Sequence, residues 1–154
     1  MIRRAIEGDI PQILELLRQV NLVHYEGRPD IFKKGLKYSK CEIEQLLTQE
    51  DKPILVWTDK TGIVKGYCFC VIKQVLDSNL LTDIKTLYID DLCVDENCRG
   101  QGIGTALYNQ AVLLAKELGC YNLTLNVWSC NPTAIKFYQS LGLTPQKIFM
   151  EKIL

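Results

Sequence analysis

The chain has 154 residues, 47% of them hydrophobic, and its 18 lysines and arginines balance 18 aspartates and glutamates. That length and apolar content suit a single domain, residues 1–154, around one sizeable core. The neutral balance argues against long-range attraction to nucleic acid or to an acidic membrane, so any anion must be bound by a local site. No apolar run is long enough to span a bilayer, and Met1-Ile2-Arg3-Arg4 does not read as a signal peptide, so a cytoplasmic protein is expected. Seven cysteines without a C-x-x-C spacing, and His24 as sole histidine, point to buried thiols, with neither a disulfide framework nor a metal expected.

Residues 2–6 have the composition of a short strand. Asp9, Pro11 and Gln12 then signal a helix start with a capping box, and Ile13, Leu16, Leu17 and Val20 follow the helical period. Residues 24–38 contain Gly27, Pro29 and Gly35 among polar and aromatic side chains and read as a loop. Ser39 and Glu42 form a second capping box, before a helix with Ile43, Leu46 and Leu47 on its apolar face. From Pro53 the period becomes two: residues 54–57, a turn at Lys60-Thr61-Gly62 and residues 63–73 predict an antiparallel hairpin. Residues 85–94 predict a fourth strand. Ile103, Leu107, Leu114 and Leu118 mark a helix ended by Gly119, and residues 121–128 alternate as a strand. Asn131-Pro132 opens a helix closed by Gly142, and residues 146–153 predict a last strand. The order β-α-α-β-β-β-α-β-α-β makes an α+β, or mixed α/β, fold around one central sheet.

The segment Arg99, Gly100, Gln101, Gly102, Ile103, Gly104 and Thr105 lies between the fourth strand and an amphipathic helix. The first N–H groups of a helix lack partners within it and favour phosphate oxygens, and glycines allow a pyrophosphate close to the backbone. Arg99 can add charge and two hydrogen bonds. A plain tight turn is the competing reading. A dinucleotide fingerprint fails because position 105 is threonine, and no stretch supplies a P-loop.

The run Tyr88-Ile89-Asp90-Asp91-Leu92-Cys93-Val94, the R-G-x-G-I-G turn from Arg99 to Gly104, and Asn131-Pro132-Thr133-Ala134-Ile135-Lys136-Phe137-Tyr138 together resemble the GNAT superfamily of N-acetyltransferases. The resemblance follows the element order of nearly the whole chain and is tightest over residues 89–142. It implies a mostly antiparallel, twisted central sheet splayed between the fourth and fifth strands, with acetyl-CoA as co-substrate. Backbone groups of Leu92, Cys93 and Val94 would hold the pantetheine arm and residues 99–105 the pyrophosphate. Asn131 and Tyr138 would contact the arm and the thioester sulfur. His24, Tyr25, Arg28 and Tyr38 fall in the stretch that the family uses as a wall of the acceptor pocket. Members of the family often form homodimers, but the sequence does not fix the oligomeric state.

A primary amine is almost wholly protonated at pH 7, so its acylation calls for a proton acceptor. Asp90 and Asp91 end the fourth strand, where alternation is expected to send them to opposite faces. Asp90 is the favoured base, on the family's matching carboxylate, and Tyr138 the expected acid for the departing thiolate. A route through an acyl-Cys93 aided by His24 is the rival chemistry. The expected function is acetyl-CoA-dependent acetylation of a primary amine on a small molecule or peptide. An acyl-CoA-binding sensory or regulatory module without turnover is the alternative.

Overall fold

In the computed structural model, which describes residues 1–154, one five-stranded sheet forms the centre. Its order is β1 (Ile2–Arg4), β2 (Ile54–Thr58), β3 (Val64–Gln74), β4 (Lys85–Val94) and β5 (Asn122–Leu125). The first three junctions are antiparallel. The β4–β5 junction is parallel because α3 (Ile103–Glu117) carries the chain back across the sheet.

The period of two gives this sheet two apolar faces. Ile54, Val56, Tyr67, Phe69 and Cys93 pack on one side against Ile10, Ile13, Leu16 and Leu17 of α1 (Ile10–Gly27) and Ile43 of α2 (Lys40–Leu47). Leu55, Cys68, Cys70, Leu87 and Ile89 pack on the other side against α3. The buried positions of α3 are Ile103, Leu107, Ala111 and Ala115, whereas Leu118, expected on this face, is exposed at the C-cap. Two alanines bring the helix close to the strands, which longer side chains would prevent.

Several local expectations hold and others change. Ser39 and Glu42 form the reciprocal capping box, and Gly119 and Gly142 end their helices with positive φ. The first helix, however, runs on through His24 and Tyr25, which occupy its last turn rather than a loop. No helix breaker precedes Gly27, and the Arg28 N–H closes the end on the His24 carbonyl at 2.9 Å. At Gly27 itself an added Cβ would lie 2.7 Å from Cys130 Sγ, so a larger residue would require Cys130 to shift. The fifth strand stops at Leu125, and residues 146–153 form no strand. A strand exists only as a member of a ladder, and no edge of this chain runs beside that segment.

Asp9 does hold the N-cap position of α1, but its side chain makes no cap bond there. It lies in a 3-10 turn (Glu7–Asp9), and its buried carboxylate accepts from Arg3 Nη1 and Nη2 at 2.6 and 2.8 Å and from the Ile6 N–H at 2.9 Å. Gln12 accepts from the Val64 N–H at 2.7 Å instead of closing a capping box. Burial alone would raise the Asp9 carboxyl, but the Arg3 and Ile6 bonds outweigh it and hold it below the usual range. A carboxyl lowered in the folded state contributes stability above its unfolded pKa and loses it as the pH falls through the folded one. Asp9→Ala should therefore cost about 1.5–3 kcal/mol in urea unfolding at pH 7. The gap to the parent protein should narrow below pH ~4.

Candidate active site

The ladder between β3 and β4 runs from Gly66↔Val94 to Phe69↔Asp91 and resumes at Cys70↔Ile89. Asp90 is the extra residue on β4, a β-bulge. It turns both carboxylates toward the face covered by α1 and α2. Asp91 Oδ2 accepts from the Tyr67 hydroxyl at 3.1 Å, and Asp90 accepts from the Tyr38 hydroxyl. Tyr38 in turn stacks on Phe69 with ring centroids 5.3 Å apart. The expectation of opposite faces is corrected here, because one inserted residue breaks the period on which it rests.

The two acids have different surroundings. Lys37 Nζ lies 3.1 Å from Asp90 Oδ2 and donates to the Asp90 carbonyl at 2.7 Å. Burial pushes the Asp91 carboxyl up to about 6, and the Asp90 charge adds to the rise. Lys37, the Tyr67 hydroxyl and the Leu92 N–H oppose it without cancelling it.

On its other edge β4 pairs with β5 only from Thr86↔Asn122 to Ile89↔Leu125. Beyond that point β5 has ended, and the edge of β4 at Leu92, Cys93 and Val94 has no strand partner on this side. The Cys93 side chain belongs to the core, with Sγ donating to the Leu16 carbonyl at 3.5 Å. Burial pushes its thiol up to about 12, and His24 stacks on Phe32 at 5.1 Å. The acyl-cysteine route thus lacks a thiolate, and the base invoked for it makes other contacts.

After β4, Asp95 accepts from the Asn97 N–H at 3.0 Å and starts a 3-10 turn (Glu96–Cys98). Gly100 and Gly102 follow with φ of 76° and 78°, a region that favours glycine. Gly102 is the N-cap of α3 and gives it no side-chain cap. None of the N–H groups of residues 99–105 has an acceptor in the chain. Arg99 Nε points back to the Val94 carbonyl at 3.4 Å, leaving its terminal nitrogens unpaired beside those amides. This is a cradle suited to a diphosphate. Gly104, whose N–H belongs to that row, also has a packing role. A Cβ there would lie 3.3 Å from Phe137 Cζ, so its smallness seats α4 (Pro132–Ser140) against α3.

Asn131 Oδ1 accepts from the Ala134 N–H at 3.2 Å and caps α4, while its amide nitrogen has no acceptor in the chain. Tyr138 is partly buried, and its hydroxyl is raised well above the usual phenol range by burial and then by Cys68, Asp91 and Cys93.

Of the expected wall residues, Tyr38 alone bonds to either carboxylate. The Tyr25 ring lies 5.3 Å from Lys34 Nζ, and Arg28 pairs with Asp30 at 2.7 Å and with Glu151. Lys37, Tyr67 and Phe69 join the site without any local signal in the sequence. What brings the two aromatic residues to Asp90 and Asp91 is strand register, which depends on pairing across distant segments.

A cavity of about 280 Å³ opens beside Asp90 and includes Tyr38, Phe69, Tyr88, Lys52 and Lys73 in its lining. Lys73 Nζ sits 3.6 Å from the Tyr88 ring centroid, and neither Lys52 nor Lys73 forms an ion pair. A larger hollow of about 500 Å³ lies between α1 and residues 34–36 and has no β4 residue in its lining.

A mixed sheet whose β4–β5 ladder stops short, followed by a turn of unpaired N–H groups at the start of a helix, is the architecture of an acyltransferase domain, and comparison with known proteins places the chain there. The acetyltransferase (GNAT) family model matches residues 15–143, and the chain belongs to that family. An uncharacterized N-acetyltransferase of Methanocaldococcus jannaschii is 29% identical over 150 residues, 96% of this chain and 62% of that protein. The thialysine N-epsilon-acetyltransferase of Bos taurus is 28% identical over 153 residues, 92% of this chain and 82% of its own length. Among solved structures, a point mutant of the BH1408 protein from Bacillus halodurans superposes with a TM-score of 0.96 at 31% identity. That match covers 100% of this chain and 99% of the other.

If Gly104 is there to seat Phe137, Gly104→Leu should destabilise the fold by about 1–3 kcal/mol in chemical unfolding through overpacking. Leucine at the open Gly8 position, where an added Cβ meets nothing within 4 Å, is the control for a non-specific effect.

Proposed function

We propose that this protein moves an acetyl group from acetyl-CoA directly to a primary amine of a small molecule. The observation that carries the reading is the row of unpaired N–H groups at residues 99–105, following a β4 that loses its β5 partner beyond Ile89 and holds Asp90 and Asp91 at its bulge. Acetyl-CoA supplies the thioester carbonyl that an amine can attack. The residue 99–105 amides and the Arg99 guanidinium hold its diphosphate, the open edge of β4 lines its arm, and the Asn131 amide nitrogen adds a donor there. Asp90, fixed by Tyr38 and Lys37, attracts the incoming ammonium. Asp91 takes the proton, being a carboxylate above pH about 6 and still basic enough to accept one. A backbone N–H near Cys93 or Val94 faces the developing oxyanion. Tyr138, kept protonated at neutral pH, gives its proton to the leaving thiolate.

Asp90 as the base is the second reading, favoured by its place in the cavity lining. The two readings are separated by measuring thiol release with each variant. Asp91→Asn should lower kcat by about 10²-fold and abolish the rise in rate through pH about 6, whereas Asp90→Asn should act mainly on the acceptor KM. Tyr138→Phe should lower kcat by a similar ~10² without weakening acetyl-CoA binding. Tight binding of acetyl-CoA with no thiol release to any amine would instead identify a sensory module.

The acceptor we propose carries an anionic group as well as its amine. Asp90 and two lysines without ion partners line one cavity, which matches an amino acid or an amine-bearing phosphate. The name of the bovine relative, a thialysine acetyltransferase, fits that class. Replacing Lys52 and Lys73 by alanine should raise KM about tenfold for such acceptors and leave a polyamine of similar length unaffected. The seven free cysteines support the cytoplasm as the proposed compartment.

A further inference from the structure

The cation that touches Asp90 comes from the chain itself. Lys37 Nζ donates to the Asp90 carbonyl at 2.7 Å and lies 3.1 Å from Oδ2, which also accepts from the Tyr38 hydroxyl. These are the groups that an acceptor ammonium seeks at the bulge, and Lys37 already holds them. Its charge also opposes the rise of the Asp91 carboxyl, so one ammonium serves both acids. Lys37 is lightly held in return. Residues 36–38 lie outside every helix and strand and make no backbone–backbone hydrogen bond, and the Lys37 side chain is 43% exposed. Besides Asp90, its neighbour is the Tyr38 ring, with the centroid 5.8 Å from Nζ. The flexible stem of a lysine lets such a head group swing several ångströms.

Cations are in excess around this carboxylate. Lys52 and Lys73 line the cavity with Asp90, and Lys37 adds a third positive charge against Asp90 and an Asp91 raised to about 6. A bare ammonium entering beside Lys37 meets a like charge across one carboxylate, and one that displaces Lys37 leaves an ion pair broken. An acceptor with an anionic group restores what it removes. We propose that Lys37 selects the acceptor by ion-pair exchange: it occupies the ammonium position at Asp90 and yields it to an amine whose own anionic group then receives the freed Lys37. The number of ion pairs is kept for such an acceptor and falls for an amine without an anion. Lys52 and Lys73 attract the anion, whereas Lys37 disfavours amines that lack one. Lys37 thereby discriminates among the acceptors of the amine acetylation proposed above, on which this role rests.

The test uses two matched pairs of acceptors, lysine with cadaverine and phosphoethanolamine with ethylamine, the second member of each lacking the anion. Thiol release from acetyl-CoA by the full chain gives kcat/KM for all four, and the parent should favour the anion-bearing member of each pair. Lys37→Met keeps most of the stem and removes the charge. It should raise kcat/KM about fivefold for cadaverine and ethylamine and lower it about fivefold for the other two, the size expected of one partly exposed ion pair. The change should fall on KM with kcat nearly constant, and Lys37→Arg should keep the parent's preference. A purely structural role at Asp90 moves both members of a pair the same way. Shifts in one direction, a parent that prefers the amines without an anion or uses none of the four, or Lys37→Arg behaving as Lys37→Met does would each overturn the exchange. Thiol release to any amine in those cases leaves the acetyl-transfer reading standing, and a parent that releases thiol to no amine overturns both.

Discussion

β4 has one more residue than β3 between Phe69↔Asp91 and Cys70↔Ile89, and most of the site follows from where that residue sits. The bulge puts Asp90 and Asp91 on the same side of the sheet, among the side chains of Tyr38, Tyr67 and Phe69. Just beyond it, β4 loses its second neighbour, since the ladder to β5 ends at Ile89↔Leu125. Backbone that would otherwise be paired on both sides is thereby left open on one, with two acids beside the opening. A strand without a bulge would separate the carboxylates and bury only one of them on this face.

Burial is used in two opposite ways in the same fold. Asp9 is buried against the Arg3 fork, which overcomes the cost of desolvation and keeps the carboxyl ionised, so the pair fixes how the chain enters α1. Asp91 is buried near a lysine that Asp90 already engages, and desolvation prevails there. No cation offsets the rise at Tyr138, which comes from burial and from neighbouring acidic groups. The carboxyl of Asp91 and the phenol of Tyr138 are thus both raised, with burial the first cause in each. Residues 99–105 present unpaired amides and one guanidinium, a grouping that favours phosphate oxygens without any net positive charge on the chain.

The local sequence signals are legible because the physics behind them is local. Ser39 with Glu42, Asn131-Pro132, and the glycines at 62, 119 and 142 each act within a few residues, and each marks the boundary expected of it. The R-G-x-G-I-G turn and its place between strand and helix are also local, and they point to the family that the chain belongs to. Wherever the structure departs from those expectations, a distant segment decides. Gly104 answers to Phe137, Gln12 to Val64, Gly27 to Cys130, and the buried stripe of α3 to its distance from the sheet.

The sequence by itself determined the elements from β1 to α4, the sheet's two apolar faces and the candidate phosphate turn, since periodicity, caps and positive-φ glycines are properties of neighbouring residues. Tertiary structure alone decided strand register, and with it the bulge, the shared face of Asp90 and Asp91, and the partnership of Tyr38 and Tyr67 with those acids. It also decided that residues 146–153, strand-like in composition, have no ladder within their own chain. A strand's identity lies in its partner, and no stretch of sequence contains its partner's position.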